Sequence, residues 1–135
     1  MNKKNQINIF IVEDNEVFRL ALKANIENFF ANKPIKIHSF ETGEACIEKF
    51  KKEKPSAVML DILMPGMDGL EVLKKIRERD SKVPVFMITA FSNEERFKQA
   101  NSYNASGFIV KTSDLNSEIQ SIISAINIAD GFKGK

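Results

Sequence analysis

The chain has 135 residues, which at about 100–200 residues per domain is one domain. Its 20 Lys and Arg stand against 18 Asp and Glu, a net charge of +2, too even for an electrostatic grip on nucleic acid. An apolar share of 43% excludes disorder, and the single cysteine, Cys46, excludes an internal disulfide framework or a multi-cysteine metal site.

The predicted elements follow in chain order. Ile7–Val12 is dense in Ile, Phe and Val and reads as a strand buried on both faces. Phe18, Leu22, Ile26 and Phe29 then recur at helical spacing and mark one face of a first helix. Ile35–Phe40 sets Ile35, Ile37 and Phe40 against Lys36 and His38, the alternation of an edge strand. Cys46, Ile47 and Phe50 mark a short helix after Thr42. Residues 57–60 form a third, densely apolar strand that ends in Asp61. Leu70, Leu73 and Ile76 mark the third helix, and Val85–Thr89 the fourth strand.

The fourth helix, about residues 93–103, is the weakest, with Phe97 and Ala100 as its main apolar residues. Ser92 and Glu95 form a capping box at its start. Gly107–Val110 reads as the fifth strand, closed by Lys111. Ser113 is an N-cap for a last helix, on which Leu115, Ile119, Ile122, Ile123 and Ile126 share a stripe. Pro34, Pro55 and Pro84 precede strands two, three and four, Pro65 follows strand three, and none interrupts an element.

Strand and helix thus alternate five times. That order predicts an α/β fold, a doubly wound parallel sheet with helices on both faces and right-handed crossovers. The expected domain covers 6–128, with an N-terminal tail at 1–5 and a C-terminal tail or start of a linker at 129–135. No run approaches the roughly 20 apolar residues of a membrane helix. The run 9–12 behind Lys3 and Lys4 is too short for a signal peptide, so a soluble, cytoplasmic protein is expected.

Ligands of an open parallel sheet bind outside the carboxyl ends of its strands. Glu13 and Asp14 follow strand one, Asp61 ends strand three, Thr89 ends strand four and Lys111 follows strand five. Singly these residues are ordinary: an acid at a strand end is a common cap, Lys111 a common surface lysine, Thr89 a common β-former. Jointly they place three carboxylates, a hydroxyl and an ammonium at one edge. Close carboxylates repel, and a hard divalent cation such as Mg2+ relieves them. Hydroxyl, ammonium and metal form a receptor for a phosphoryl group, with one carboxylate as nucleophile.

The run from Asp61 through Met64, Pro65, Gly66, Met67 and Asp68 to Gly69 resembles the phosphoacceptor signature of response-regulator receiver domains, the CheY-like family of two-component signalling. Glu13-Asp14, Thr89-Ala90 and Lys111 match the family's other marks in order, and the resemblance spans about residues 6–128. It implies a flavodoxin-like (βα)5 fold with strand order 2-1-3-4-5. It implies that Asp61 accepts a phosphoryl group from the phosphohistidine of a sensor histidine kinase or a histidine phosphotransfer protein. Glu13, Asp14, Asp61 and the backbone carbonyl of Leu63 would bind Mg2+, with Mn2+ as a substitute. Thr89 and Lys111 would contact the phosphate, and Phe108 would turn inward on activation. The face of helix four, strand five and helix five would meet a downstream protein, an output domain or a second copy of the chain, with no direct nucleic-acid or membrane binding. Such a domain is a signalling switch rather than an enzyme with a free substrate. Thr112 departs from the family's usual proline after the lysine, and Glu13 stands where aspartate is commoner.

Three other classes fit less well. A small-molecule phosphotransferase or phosphatase commonly needs a second acid beside the nucleophile, whereas Asp61 is followed by Ile62 and Leu63. A nucleotide- or flavin-binding protein would carry a glycine-rich loop after strand one, where the acids stand instead. A receiver-like scaffold that takes no phosphate is opposed by the intact acceptor, acids, hydroxyl and lysine.

Overall fold

The strand–helix alternation runs β1 (Ile7–Val12), α1 (Glu16–Phe29), β2 (Ile35–Phe40), α2 (Gly43–Phe50), β3 (Ala57–Asp61), α3 (Gly69–Arg79), β4 (Val85–Thr89), α4 (Glu94–Ser102) and β5 (Gly107–Val110). These come from a computed structural model that describes residues 6–64, 66–89 and 94–110. Pro65, Phe91, Ser92, Lys111, Thr112, Ser113 and the expected fifth helix lie outside the described residues. The strands form one sheet in the order β2-β1-β3-β4-β5, and all four pairings are parallel. This is the flavodoxin-like order expected, with β2 and β5 at the edges. The order reverses between β1 and β3, the switch point outside which such sheets bind ligands.

Period-two alternation divides the apolar residues between two layers. Phe10, Val12, Val58, Leu60, Val85 and Met87 face a layer completed by Cys46, Ile47 and Phe50 of α2, by Leu70, Val72, Leu73 and Ile76 of α3, and by Ala100 of α4. Ile7, Ile9, Ile11, Met59, Phe86 and Ile88 face the other layer, against Leu22 and Ile26 of α1 and Phe30 behind it. β1, β3 and β4 are therefore buried on both faces, while β2 is only partly covered.

Each of the first three helices starts on a side-chain cap. Asn15 Oδ1 accepts the Phe18 N–H at 2.9 Å, Thr42 Oγ1 that of Ala45 at 3.2 Å and Asp68 Oδ1 that of Glu71 at 3.0 Å. The stripe on α1 departs from the apolar spacing. Arg19 takes a buried place on it, Phe29 turns outward at 41% exposure, and Phe30 fills the layer instead. The chain leaves the helix at Phe30, so its side chain is free of the helical period.

Arg77 of α3 fastens three segments at once. Its Nε donates to the Asn104 carbonyl at 2.9 Å, its Nη1 to the Val83 and Asp80 carbonyls at 2.7 and 3.2 Å, and its Nη2 to Ser106 Oγ at 3.4 Å. Asn104 sits at φ 64, a left-handed conformation that asparagine tolerates, and turns the chain from α4 towards β5.

Candidate functional site

The site is built from three strand ends. At β1, the Glu13 N–H donates to the Phe40 carbonyl at 3.0 Å, which holds the first acid to the end of β2. Arg19 Nη1 donates to the Glu13 carbonyl at 2.8 Å, and the Asn15 N–H donates to Glu13 Oε2 at 3.1 Å. Glu13 is thereby buried, while Asp14 is exposed.

Asp61 ends β3 and is 4% exposed. Its Oδ1 accepts the Leu63 N–H at 3.4 Å. The loop beyond it is folded back sharply. Gly66 takes φ 75, a left-handed conformation that favours glycine, and the Gly69 N–H donates to the Ile62 carbonyl at 2.9 Å. A Cβ on Gly69 would collide with the Asp61 carbonyl oxygen, so α3 can start this close to β3 only on a glycine. Of the loop's side chains, Ile62 and Met64 are buried and Leu63 is 47% exposed.

A carboxylate oxygen from each of Glu13, Asp14 and Asp61 lies within 4.8 Å of the others. Like charges at that spacing repel by several times the thermal energy wherever solvent screening is incomplete. Three oxygen donors at this spacing, one of them open to solvent, suit a hard divalent cation that keeps some of its water. Thr89 ends β4 beside them, 4% exposed, and Asp61 is in register with its neighbour Ile88. The sequence-predicted Glu13, Asp14, Asp61 and Thr89 are thus all at the carboxyl edge of the sheet. Phe108 lies in β5 opposite Met87, half-buried, with its ring 4.7 Å from that of Phe97 on α4. Lys111 lies outside the described residues.

Arg19 is the residue that sequence reasoning missed. The signal was present: Arg19, Leu22 and Ile26 fall at offsets of 0, 3 and 7 on α1, so a charged residue occupies an apolar-stripe position.

Among the described residues, Cys46 and His38 pack into the fold. Burial pushes the Cys46 thiol up to about 12, which keeps it protonated and inert. His38 Nε2 stands 3.3 Å from Glu53 Oε2, and its ring lies edge-on to Phe10. A cavity of about 370 Å³ at the opposite end of the sheet is lined by Gln6, Asn8, Lys36, Lys52, Glu53, Lys54 and Ser56. Its charges are largely compensated: Lys36 pairs with Glu53 at 3.9 Å and Lys54 with Asp80 at 2.7 Å.

A family profile described as the response regulator receiver domain matches residues 9–124. The chain belongs to this family. CheY of Halobacterium salinarum is 33% identical over 103 residues, covering 76% of this chain and 82% of that protein. The transcriptional regulator NtrC of Escherichia coli is 29% identical over 119 residues, which is 88% of this chain but only 24% of NtrC. Among solved structures, the response regulator TrrA of Thermotoga maritima in complex with Mg(2+)-BeF superposes with a TM-score of 0.77 at 27% identity, covering 89% of this chain and 98% of TrrA. The receiver domain is the signalling domain of two-component response regulators, not an enzyme in the usual sense. Among the described residues, no helix is long and apolar enough to cross a membrane.

Proposed function

We propose that this receiver domain takes a phosphoryl group on Asp61 from a phosphohistidine, in a reaction that depends on Mg2+, and signals through a changed protein-binding face. The observation that carries the reading is the convergence of Glu13, Asp14 and Asp61 within 4.8 Å at the carboxyl edge of the sheet. The Mg(2+)-BeF complex of TrrA, a relative of the same fold, supports it.

In this reading Glu13, Asp14, Asp61 and the Leu63 carbonyl would hold the metal, with Mn2+ as a substitute. A cation held there would neutralise charge on the phosphoryl oxygens. An Asp61 carboxylate oxygen attacks phosphorus; the new P–O bond forms as the P–N bond breaks, and its electron pair leaves with the imidazole nitrogen of the donor. The donor is a sensor histidine kinase or a histidine phosphotransfer protein. Thr89 donates its hydroxyl to a phosphoryl oxygen, and the Lys111 ammonium pairs with another.

The phosphoryl group adds a charge of about −1.5 to −2 and three acceptor oxygens. Contacts from Thr89 and Lys111 that exist only with phosphate bound shift the domain between two states. Phe108 turns inward, and the face made of α4, β5 and residues 114–128 meets a downstream protein, an output domain or a second copy of the chain. Residues 6–128 form the working unit, in the cytoplasm.

The test is treatment with acetyl phosphate and Mg2+, followed by intact-protein mass spectrometry. The wild type should gain one phosphoryl group, and Asp61→Asn should gain none. A wild type that stays unmodified overturns the reading, and steady turnover of free phosphoesters would revive the small-molecule phosphatase instead.

A further inference from the structure

We propose that Arg19 is a positioning residue that sets the direction of both acids of the Glu13-Asp14 pair, and so governs how tightly the site takes a divalent cation. The inference rests on the metal-binding part of the function proposed above.

Arg19 is one of four buried polar or charged residues among those described, and the other three are Glu13, Asp61 and Thr89. A buried guanidinium needs its donors used, and its planar fork can serve two acceptors in fixed directions. Here Nη1 donates to the Glu13 carbonyl at 2.8 Å, while Nη2 stands 3.7 Å from Glu41 Oε2 in the loop after β2. The Glu13 carbonyl belongs to the peptide that joins the two acids. Holding its oxygen fixes the plane of that peptide, and with it the directions in which the Glu13 and Asp14 side chains leave the backbone.

Glu13 is also held from its other side, since its N–H donates to the Phe40 carbonyl at 3.0 Å. The Asn15 N–H steadies the carboxylate itself at 3.1 Å. The Arg19 backbone N–H closes the arrangement by donating to the Asn15 carbonyl at 2.9 Å. Thus α1 reaches back, through one side chain, to orient the loop from which it starts.

The sign of the effect separates this role from two others. A guanidinium acting only through its charge would oppose a nearby cation, so its removal would tighten metal binding. A guanidinium that only stabilises the fold would change the melting temperature and leave the metal affinity of the folded chain alone. Positioning predicts weaker binding when the donors are lost.

The experiment titrates the full chain with Mn2+, read by electron paramagnetic resonance of the free ion, with Mg2+ as competitor. It is run well below the melting midpoint of every variant. Arg19→Met should weaken both ions by about tenfold, the size of one lost hydrogen bond to a charged donor. Arg19→Lys keeps the charge but cannot serve both acceptors at once, and should fall between, about threefold weaker than wild type. Equal or tighter binding in Arg19→Met overturns the proposal. If that variant does not fold, Arg19→Lys decides alone, and an affinity equal to wild type overturns it. A wild type that binds neither ion brings down the metal-site reading itself, and Arg19's role with it.

Discussion

The two ends of the sheet use the same charged groups in opposite ways. At the carboxyl end, Glu13, Asp14 and Asp61 bring three like charges within 4.8 Å, on a ledge where Glu13 and Asp61 are buried. At the amino end, Glu53 meets Lys49 at 3.2 Å, His38 at 3.3 Å and Lys36 at 3.9 Å, and Asp80 meets Lys54 at 2.7 Å. Among the described residues, one end gathers like charges and the other sets acids against bases. The amino end is thereby arranged for folding, while the carboxyl end concentrates oxygen donors of a kind that suit a hard cation.

The largest expected effect comes from closing the space beneath the site. Gly69→Ala drives a Cβ into the Asp61 carbonyl and should cost about 3 kcal/mol, seen as a lower urea midpoint. A midpoint equal to wild type would mean that α3 can back away from β3 at no expense.

Next comes Asp80 at the amino end. Burial raises its pKa, but the Lys54 hydrogen bond, the Lys82 and Val83 N–H groups and the Lys54 charge outweigh that and hold it below the usual carboxylate value. Glu53 is lowered in the same manner, with burial opposed by the Lys49 hydrogen bond and by the charges of Lys36, His38 and Lys49. A folded-state pKa below the unfolded one gives stability that is present above the unfolded pKa and lost as pH falls through the folded one. Wild-type stability should therefore decline through the acid range, below the ordinary carboxylate pKa. Asp80→Asn should flatten that decline and cost about 1–2 kcal/mol at neutral pH. Urea midpoints taken across the acid range check it, and an unchanged slope would remove Asp80 from the account.

The smallest effects carry the sharpest contrast, because their signs differ. Without added metal, Asp61→Asn relieves repulsion and should stabilise the fold by about 1 kcal/mol. Glu53→Gln removes a partly exposed ion-pair network and should destabilise it by less than about 1 kcal/mol. Saturating Mg2+ should raise the wild-type melting temperature and leave that of Asp61→Asn almost unmoved. Two thermal shifts of the same sign without metal would break the contrast between the ends.

Most of this layout was legible in the sequence because it rests on local signals. Ile7–Val12 and Val85–Thr89 are too densely apolar to be anything but inner strands, and the Lys36 and His38 alternation marks β2 as an edge. The acids and Thr89 were legible because a parallel sheet delivers every strand end to the same side. The place of Arg19 on the apolar stripe was legible but its role was not, since its partners are a backbone carbonyl and Glu41, and hydrogen bonds to the main chain leave no trace in residue type. Phe29 and Phe30 were exchanged for a similar reason: periodicity holds only while the helix lasts. The role of Gly69 depends on how closely α3 approaches β3, a tertiary distance that the sequence does not state.

The Arg77 clasp has a consequence for α4. Its guanidinium takes the Asn104 carbonyl just beyond that helix, and the Tyr103 and Ala105 N–H groups both donate to the Ala100 carbonyl. The other end of the helix is linked to Asp68 through Arg96 at 3.5 Å, both side chains one-third exposed. The carboxyl end of α4 is thus fastened, through one guanidinium, to the corner between α3 and β4. Any rearrangement that spares this clasp must keep Asn104 as its fixed point, and it would be felt at Asp68, the cap of the helix that follows Asp61, through Arg96.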